Sequence, residues 1–526
     1  WLDKPHFPFW VTALSFKLFG ISTVTYKLPA LFFTALAAFY TYRLAKRQYS
    51  SEVARWAVLI LLTALHLIMS DADVRAEPFL TGLIAGAVYH FYRLRLQLSW
   101  GHLLLGAAFA AGAMMTKGIF TLVPIAGAIG LELLLKRDWQ GLFHWKWALA
   151  GVLVLLFTLP ELLSLYVQFD QHPEKVIFGK TGVSGLKFFF WDSQFGRFFN
   201  TGPIKGEGDP FFALHTLLWA FSPWALLMYA ALVALLRRSI LKLRGHAERS
   251  RSATPPRFDS AQRDTTTLGA ALPTLLLFTL SSFQLPHYLN IVFPFLAIFT
   301  ANFIHQITSR RGRRAYAWVQ GVQIVLLVLI SLVVTYFFQP THVTLWFWGA
   351  LAAVIGVGMA VSKSPLAPVP RVFYLTCLAA AGFNFYTNLI FYPAVLTYQA
   401  AGEAAKYANL HFPQVQSGFF GNLENNSFEF YRKTPVRWYA RPEIVDAARH
   451  REPLLLYTAA NQLSALDSAR IPYREVAAFP HFHVTTLTPE FVNHRTRKST
   501  LVRHVLIRVE PDSSGFAIRS QRVADL

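Results

Sequence analysis

From the N-terminus to about Tyr392, long apolar runs alternate with short polar breaks, and most runs approach the ~20 residues that cross a hydrocarbon core. The pattern predicts a first span from about Tyr26 to Tyr42 and a second from Arg55 that ends in a charged hairpin. A third returns from Glu77 to Arg93, a fourth runs from His102 to Met115, and a fifth returns to Lys136. The sixth covers Lys146 to Gln168 and leads into a long polar segment, 169–209. Further spans are expected over Pro210–Leu236 and Leu268–Leu285, up to the basic run Arg310–Arg314, over Tyr316–Phe338, up to Lys363, and from Arg371 to Tyr392. Ahead of them all, residues 1–24 are rich in Phe and Trp and read as an interfacial helix stopping near Gly20.

Beyond Tyr392 the chain is more polar. A helix is expected over Gln399–Asn409, with short strand-like runs at Leu454–Tyr457 and Val505–Val509. The expected fold is a polytopic α-helical membrane protein with a small α/β extracytoplasmic C-terminal domain. Residues 1–392 form its transmembrane domain of about twelve spans, and residues 393–526 its outer domain.

Composition sharpens this picture. The chain has 526 residues, 54% hydrophobic and 15% charged, with a formal net charge of +21. That mixture excludes a soluble single domain. In a soluble protein the basic excess suggests nucleic acid. Here much of it sits in short loops between spans, so membrane lipid is the expected surroundings and no nucleic acid is expected. Arg43/Lys46/Arg47, Arg93/Arg95, Lys136/Arg137, Arg237/Arg238, Arg310–Arg314 and Lys363/Arg371 all fall on one face, which the positive-inside rule makes cytoplasmic. A Ser/Pro-rich loop running to Arg263 is expected to be mobile. The single cysteine, Cys377, lies in an apolar run, which leaves no disulfide framework. His481 and His483 share a strand face without a third ligand, so neither a metal nor a cofactor is expected. The chain begins at Trp1 without a signal-peptide pattern, and an N-terminal piece ahead of it is expected.

The opposite face collects the unusual polar residues: Lys4, the hairpin SDADVRAEP (Ser70–Pro78), Lys117, segment 169–209, and His287-Tyr288. Asp71, Asp73 and Glu77 supply carboxylates that can accept a proton or orient a nucleophile. Lys4, Arg75, Lys117 and Arg197 supply cations that can hold a phosphate. A solvated loop, snorkelling side chains and interfacial anchors are the plainer readings of the same residues. Glu77 precedes Pro78 at the start of a helix, where the dipole stabilises an ionised carboxylate.

Four motifs carry a resemblance. LDKPHFPFW, RAEPFLTG, AAGAMMTKGIFTLVP and FQLPHYLNIVFPFLAIF resemble, in order, segments of the GT-C superfamily glycosyltransferases of the aminoarabinose-transferase and protein O-mannosyltransferase-like group. The resemblance covers residues 1 to about 300 and, in outline, the outer domain. It implies inverting transfer of a sugar from a polyprenyl-phosphate-linked donor to a lipid, glycan or protein acceptor on the periplasmic side of a bacterial inner membrane. By the same resemblance Lys4 contacts the donor phosphate, Lys117 and Arg197 are further phosphate cations, and Glu77 takes the second acidic, catalytic position. Asp73, Arg75, His287 and Tyr288 then line the substrate cavity. The group's principal acidic residue lies in a loop before the Lys-Pro segment, ahead of this chain's first residue. Its Lys before Leu-Pro is Gln284 here, and His287 stands before Tyr288.

A transporter or flippase of lipid-linked saccharides is the competing class. It calls for charges near mid-bilayer and two interrupted halves, whereas these charges sit at span ends. Cysteine labelling in intact cells tests the orientation. Cysteines at Lys117 and in residues 393–526 should label directly, and those at Arg43, Arg237 and Arg310 only after permeabilisation. An outer domain that labels only in permeabilised cells reverses the topology.

Overall fold

The computed structural model describes residues 2–248, 264–341, 343–421, 423, 426–449 and 453–509. They divide into two compact units: residues 2–327 with 354–384, and residues 328–353 with 385–509. The Ser/Pro-rich stretch expected to be mobile lies outside the described residues from position 249 to 263.

In the first unit, α1 (Phe7–Phe19) exposes Phe9, Trp10, Leu14 and Leu18, as suits a helix at headgroup level. Gly20, at φ +80°, ends it in a conformation that favours glycine. Ser22 and Thr25 form a reciprocal capping box at the start of α2 (Thr23–Gln48). Next come α3 (Ser51–Thr63) and α4 (Leu65–Ala72), bent by 55° at Ala64. The Leu65 amide freed by that bend donates to the Ser222 carbonyl at 3.1 Å. Three further helices follow: α5 (Ala76–Leu96), α6 (Trp100–Lys117) and α7 (Leu122–Leu135).

Helix α5 is buried almost continuously from Glu77 to Phe91, and it is the centre of this unit. A helix apolar on every face needs neighbours all round, and small residues let them approach. A Cβ on Gly82 would lie 2.4 Å from the Phe33 carbonyl oxygen, so α2 and α5 touch through backbone there. Gly106 and Gly112 likewise seat α6 on Phe91 and Leu83 of α5. Among the described residues, five helices are long and apolar enough to cross a membrane, and six if α3 and α4 are one broken span. Several helices of that length and apolarity make the chain a multi-pass membrane protein. Other apolar runs, such as Ile119–Leu135 and Thr265–Leu280, are helical too but shorter.

The second unit contains a five-stranded sheet ordered β2-β1-β3-β5-β4. Its strands are β1 (Gln416–Phe419), β2 (Val436–Trp438), β3 (Leu454–Ala459), β4 (Tyr473–His481) and β5 (Val502–Val509). Strands β2, β1 and β3 are parallel, and β5 joins β3 and β4 antiparallel. All six residues of β3 are buried, because side chains alternate between two covered faces. Leu455 and Tyr457 pack with helix Ala400–His411, while Leu454 and Leu456 pack with Ile444 of helix Arg441–Arg449. The expected small α/β domain is present.

On this sheet the Tyr457 hydroxyl pairs with His504 Nδ1 at 2.7 Å, and the His481 and His504 rings stack 4.1 Å apart. Burial and then the neighbouring His481 hold His504 down at about 4, below the ~6.5 of a free imidazole. Between those values the unfolded chain binds a proton that the fold excludes, so stability falls as pH drops from ~6.5 towards 4 and is flat above. Protease protection of β5, measured across that range, should show this loss, and His504→Gln should flatten the slope.

Candidate functional site

The first unit encloses a cavity of about 660 Å³, and the polar residues in its wall arrive from widely separated parts of the chain. Glu77 comes from the first turn of α5 and is 1% exposed. It accepts from the ammonium of Lys117, the last residue of α6. The same ammonium lies 3.6 Å from the centroid of the Tyr288 ring, a cation–π contact. Gly118, at φ +92°, turns the chain away directly after Lys117. The Lys117 carbonyl accepts from Gln194 Nε2 at 3.1 Å. Lys117 is thus fixed at both its head and its backbone.

His287 and Tyr288 lie in the 3₁₀ turn Pro286–Val292. His287 Nε2 is 4.0 Å from Glu77 Oε1, and Arg75 Nη1 is 3.1 Å from His287 Nδ1. Arg75 also pairs with Asp73 at 2.5 Å. The turn is anchored behind the site by Asn290, which is fully buried and bonds Ser70 Oγ (2.6 Å) and His66 Nδ1 (2.9 Å). That network ties α4 to the turn.

At another part of the wall, Asp3 is shared between Lys4 (3.0 Å) and Arg197. The Arg197 guanidinium sits 5.5 Å from the Phe283 ring centroid. Its Nε is buried and makes no hydrogen bond among the described residues.

Seven of the nine residues singled out from the sequence therefore line one cavity: Lys4, Arg75, Glu77, Lys117, Arg197, His287 and Tyr288. Asp73, expected to line the cavity, does not: its side chain is 56% exposed and its carboxylate pairs with Arg75. Asp71 is buried elsewhere and accepts from Thr34 Oγ1 at 2.7 Å. Arg75 and Glu77 belong to two separate pairs, Arg75–Asp73 and Lys117–Glu77. Helix α5 begins at Ala76, so Glu77 is inside its first turn and Pro78 is not its first residue. Gln284, where a Lys was expected, bonds the Asp209 amide (2.7 Å) and the Phe278 and Thr279 carbonyls, and so closes a loop.

Sequence reading missed Glu161. Fully buried in helix Trp145–Leu165, it lines the cavity and accepts from the His6 amide (3.0 Å) and His6 Nδ1 (2.9 Å). A lone carboxylate inside an apolar run was the available signal. Among the described residues, no three His, Cys, Asp or Glu side chains converge as metal ligands would.

The chain carries the fold of solved ArnT structures. The family described as dolichyl-phosphate-mannose-protein mannosyltransferase matches residues 3–163. More particularly, it is similar to undecaprenyl phosphate-alpha-4-amino-4-deoxy-L-arabinose arabinosyl transferases. That of Edwardsiella ictaluri (strain 93-146) is 27% identical over 320 residues, 60% of this chain and 51% of the relative. That of Pseudomonas fluorescens (strain Pf0-1) is 25% identical over 413 residues, 76% of this chain and 65% of the relative. The chain thus spans about half the length of the first of these curated relatives. The crystal structure of ArnT from Cupriavidus metallidurans bound to undecaprenyl phosphate matches with a TM-score of 0.68 at 17% identity, covering 97% of this chain and 88% of that one. Its apo form matches with a TM-score of 0.66.

The turn after Lys117 gives a direct test of how the site is held. A Cβ on Gly118 would sit 2.2 Å from Gln194 Nε2, in a backbone conformation that side chains avoid. Gly118→Ala should cost about 1–3 kcal/mol, seen as a lower unfolding temperature. Gln194→Ala in the same background should recover part of that loss.

Proposed function

We propose that this protein is an integral-membrane glycosyltransferase that moves a sugar from a polyprenyl-phosphate donor to an acceptor at the periplasmic face. The observation that carries this reading is the pairing of a largely apolar cavity with three cations, Lys4, Lys117 and Arg197. One of these, Arg197, keeps a buried donor nitrogen without a partner among the described residues. Apolar wall suits a polyprenyl chain, and clustered cations suit its phosphate. The similarity to a structure holding undecaprenyl phosphate and to arabinosyl transferases supports the same donor class. On this reading residues 393–526 are a periplasmic domain and residues 1–392 a membrane domain.

In the transfer, the acceptor's nucleophilic atom bonds to the sugar's anomeric carbon as the bond from that carbon to the phosphate oxygen breaks. The lipid phosphate leaves with the electron pair and gains negative charge. Lys117 and Arg197, already fixed by their partners, stabilise that charge without reorganising. The acceptor's proton needs a base, and Glu77 is the carboxylate beside Lys117. Its burial and its pairing with Lys117 favour a further task, holding the ammonium ionised and in place. Arg75, held by Asp73, lines the same cavity, and Tyr288 lies under the Lys117 ammonium.

Losing a charge-assisted hydrogen bond costs about 1.5–3 kcal/mol. Lys117→Ala and Lys4→Ala should therefore weaken undecaprenyl-phosphate binding by roughly ten- to a hundredfold, while Lys17→Ala on α1 should not. Unchanged binding in both site variants, at normal membrane levels, removes them from the phosphate site. Glu77→Gln should reduce donor affinity together with turnover. A loss confined to kcat assigns Glu77 to the acceptor instead.

A further inference from the structure

We propose that the end of the first unit remote from the cavity binds the phosphodiester head of an anionic membrane phospholipid, between Arg43, Arg93 and His102.

Three helices bring these side chains together. Arg43 stands near the end of α2, Arg93 near the end of α5, and His102 in the first turn of α6. Arg93 is most of the length of α5 away from Glu77, about 24 Å along the axis. The site is therefore separate from the cavity, and it does not rest on the donor reading.

The observation that carries the inference is two guanidiniums converging on one neutral oxygen. Arg43 Nη2 donates to the Tyr89 hydroxyl at 3.1 Å, and Arg93 Nη1 lies 3.5 Å from the same oxygen. Like charges this close repel, and a hydroxyl carries no charge to offset them. Cations nearby are matched differently: the Glu132 carboxylate takes both Arg95 (2.5 Å) and Lys136 (2.8 Å). Among the described residues, no carboxylate pairs with Arg43 or Arg93.

His102 closes a third side. Its ring centroid is 6.3 Å from that of Tyr89, and its Nδ1 is 2.9 Å from Nδ1 of His90. The Tyr40 hydroxyl meets the other nitrogen of His90, Nε2, at 3.1 Å. Tyr40, Tyr89 and His90 are buried and form a fixed floor. Arg43 is exposed above it, with Arg93 and His102 half-buried. Each guanidinium has five N–H donors and addresses Tyr89 with one nitrogen, so each keeps donors for an anionic oxygen. A phosphodiester supplies two such oxygens on one charge, one for each arginine.

The surface next to the cations selects a lipid over a free anion. Phe39 lies one turn before Arg43 on α2, and Leu105 about one turn after His102 on α6. Residues three and four apart share a helix face, and both apolar side chains lie on the side away from the helix ends. They are 49% and 48% exposed. A small anion would use the cations and leave this surface bare. A phospholipid uses both, with its head on the arginines and its acyl chains along Phe39 and Leu105.

The test titrates the full chain in mild detergent with phosphatidylglycerol or phosphatidylcholine and counts bound lipid by native mass spectrometry. Wild-type protein should prefer phosphatidylglycerol. Arg43→Gln and Arg93→Gln should each weaken that binding about fivefold, and together about twenty- to thirtyfold. Arg47→Gln with Arg137→Gln removes two exposed cations of the same basic face and should leave the binding as it is. Should the double site variant fail to fold, the two single variants carry the test. An equal loss in both double variants reports diffuse attraction to the basic face and overturns the site. Wild-type protein that binds the two lipids alike also overturns it. Inorganic phosphate at equal concentration should not displace bound phosphatidylglycerol, and displacement overturns the assignment to a lipid.

Discussion

The ion pair between Glu77 and Lys117 is the interaction on which the cavity depends. Taking a carboxylate and an ammonium out of water costs several kcal/mol each, which their attraction offsets only when geometry is good. Breaking such a pair by removing one partner leaves a buried charge and costs about 3–5 kcal/mol. The pair therefore fixes the N-terminal turn of α5 against the C-terminal turn of α6. Because Lys117 also lies over Tyr288 and its carbonyl holds Gln194, two further segments are drawn to the same point. Four stretches of chain meet at Lys117.

The cavity wall combines apolar and charged residues. Apolar residues such as Phe9, Phe188 and Leu277 form much of its wall, and the charges cluster where segments end or turn. This follows from how helices place charge in a membrane protein: backbone groups are satisfied inside the helix, and ionised side chains are tolerated at its ends. An amphiphile with a long apolar body and a compact anionic head matches that combination. The paired state of each cation matters as well, since Asp3 and Glu77 keep the basic side chains extended into the wall and limit their freedom to snorkel away.

Much of this was legible in the sequence, for a physical reason. Helices are specified by local runs, and the apolar stretches from Tyr26 to Tyr392 fold as helices near the expected positions. The polar residues of one expected face could be gathered by counting alternations alone, and most of them line one cavity. Their partners could not be found that way. His6 and Glu161 are 155 residues apart, Asp3 and Arg197 are 194 apart, and Arg75 and His287 are 212 apart. No local period encodes such pairings. The bend at Ala64 was also hidden, because the run from Arg55 to Met69 is mostly apolar and carries no proline or glycine. It withdraws Asp71 towards Thr34 and leaves the hairpin's three carboxylates in three different settings.

The sharing of Asp3 between Lys4 and Arg197 has a kinetic meaning. A bare pair of cations grips an anion tightly on arrival and equally tightly on departure. Here a tethered carboxylate already occupies both, so an entering anion must displace it in part, and a leaving one is replaced without delay. The resident carboxylate is an internal competitor that lowers retention more than it slows capture. A catalyst whose spent carrier still bears the charged head that bound it needs such a competitor, because otherwise each turnover would end with the product held in place.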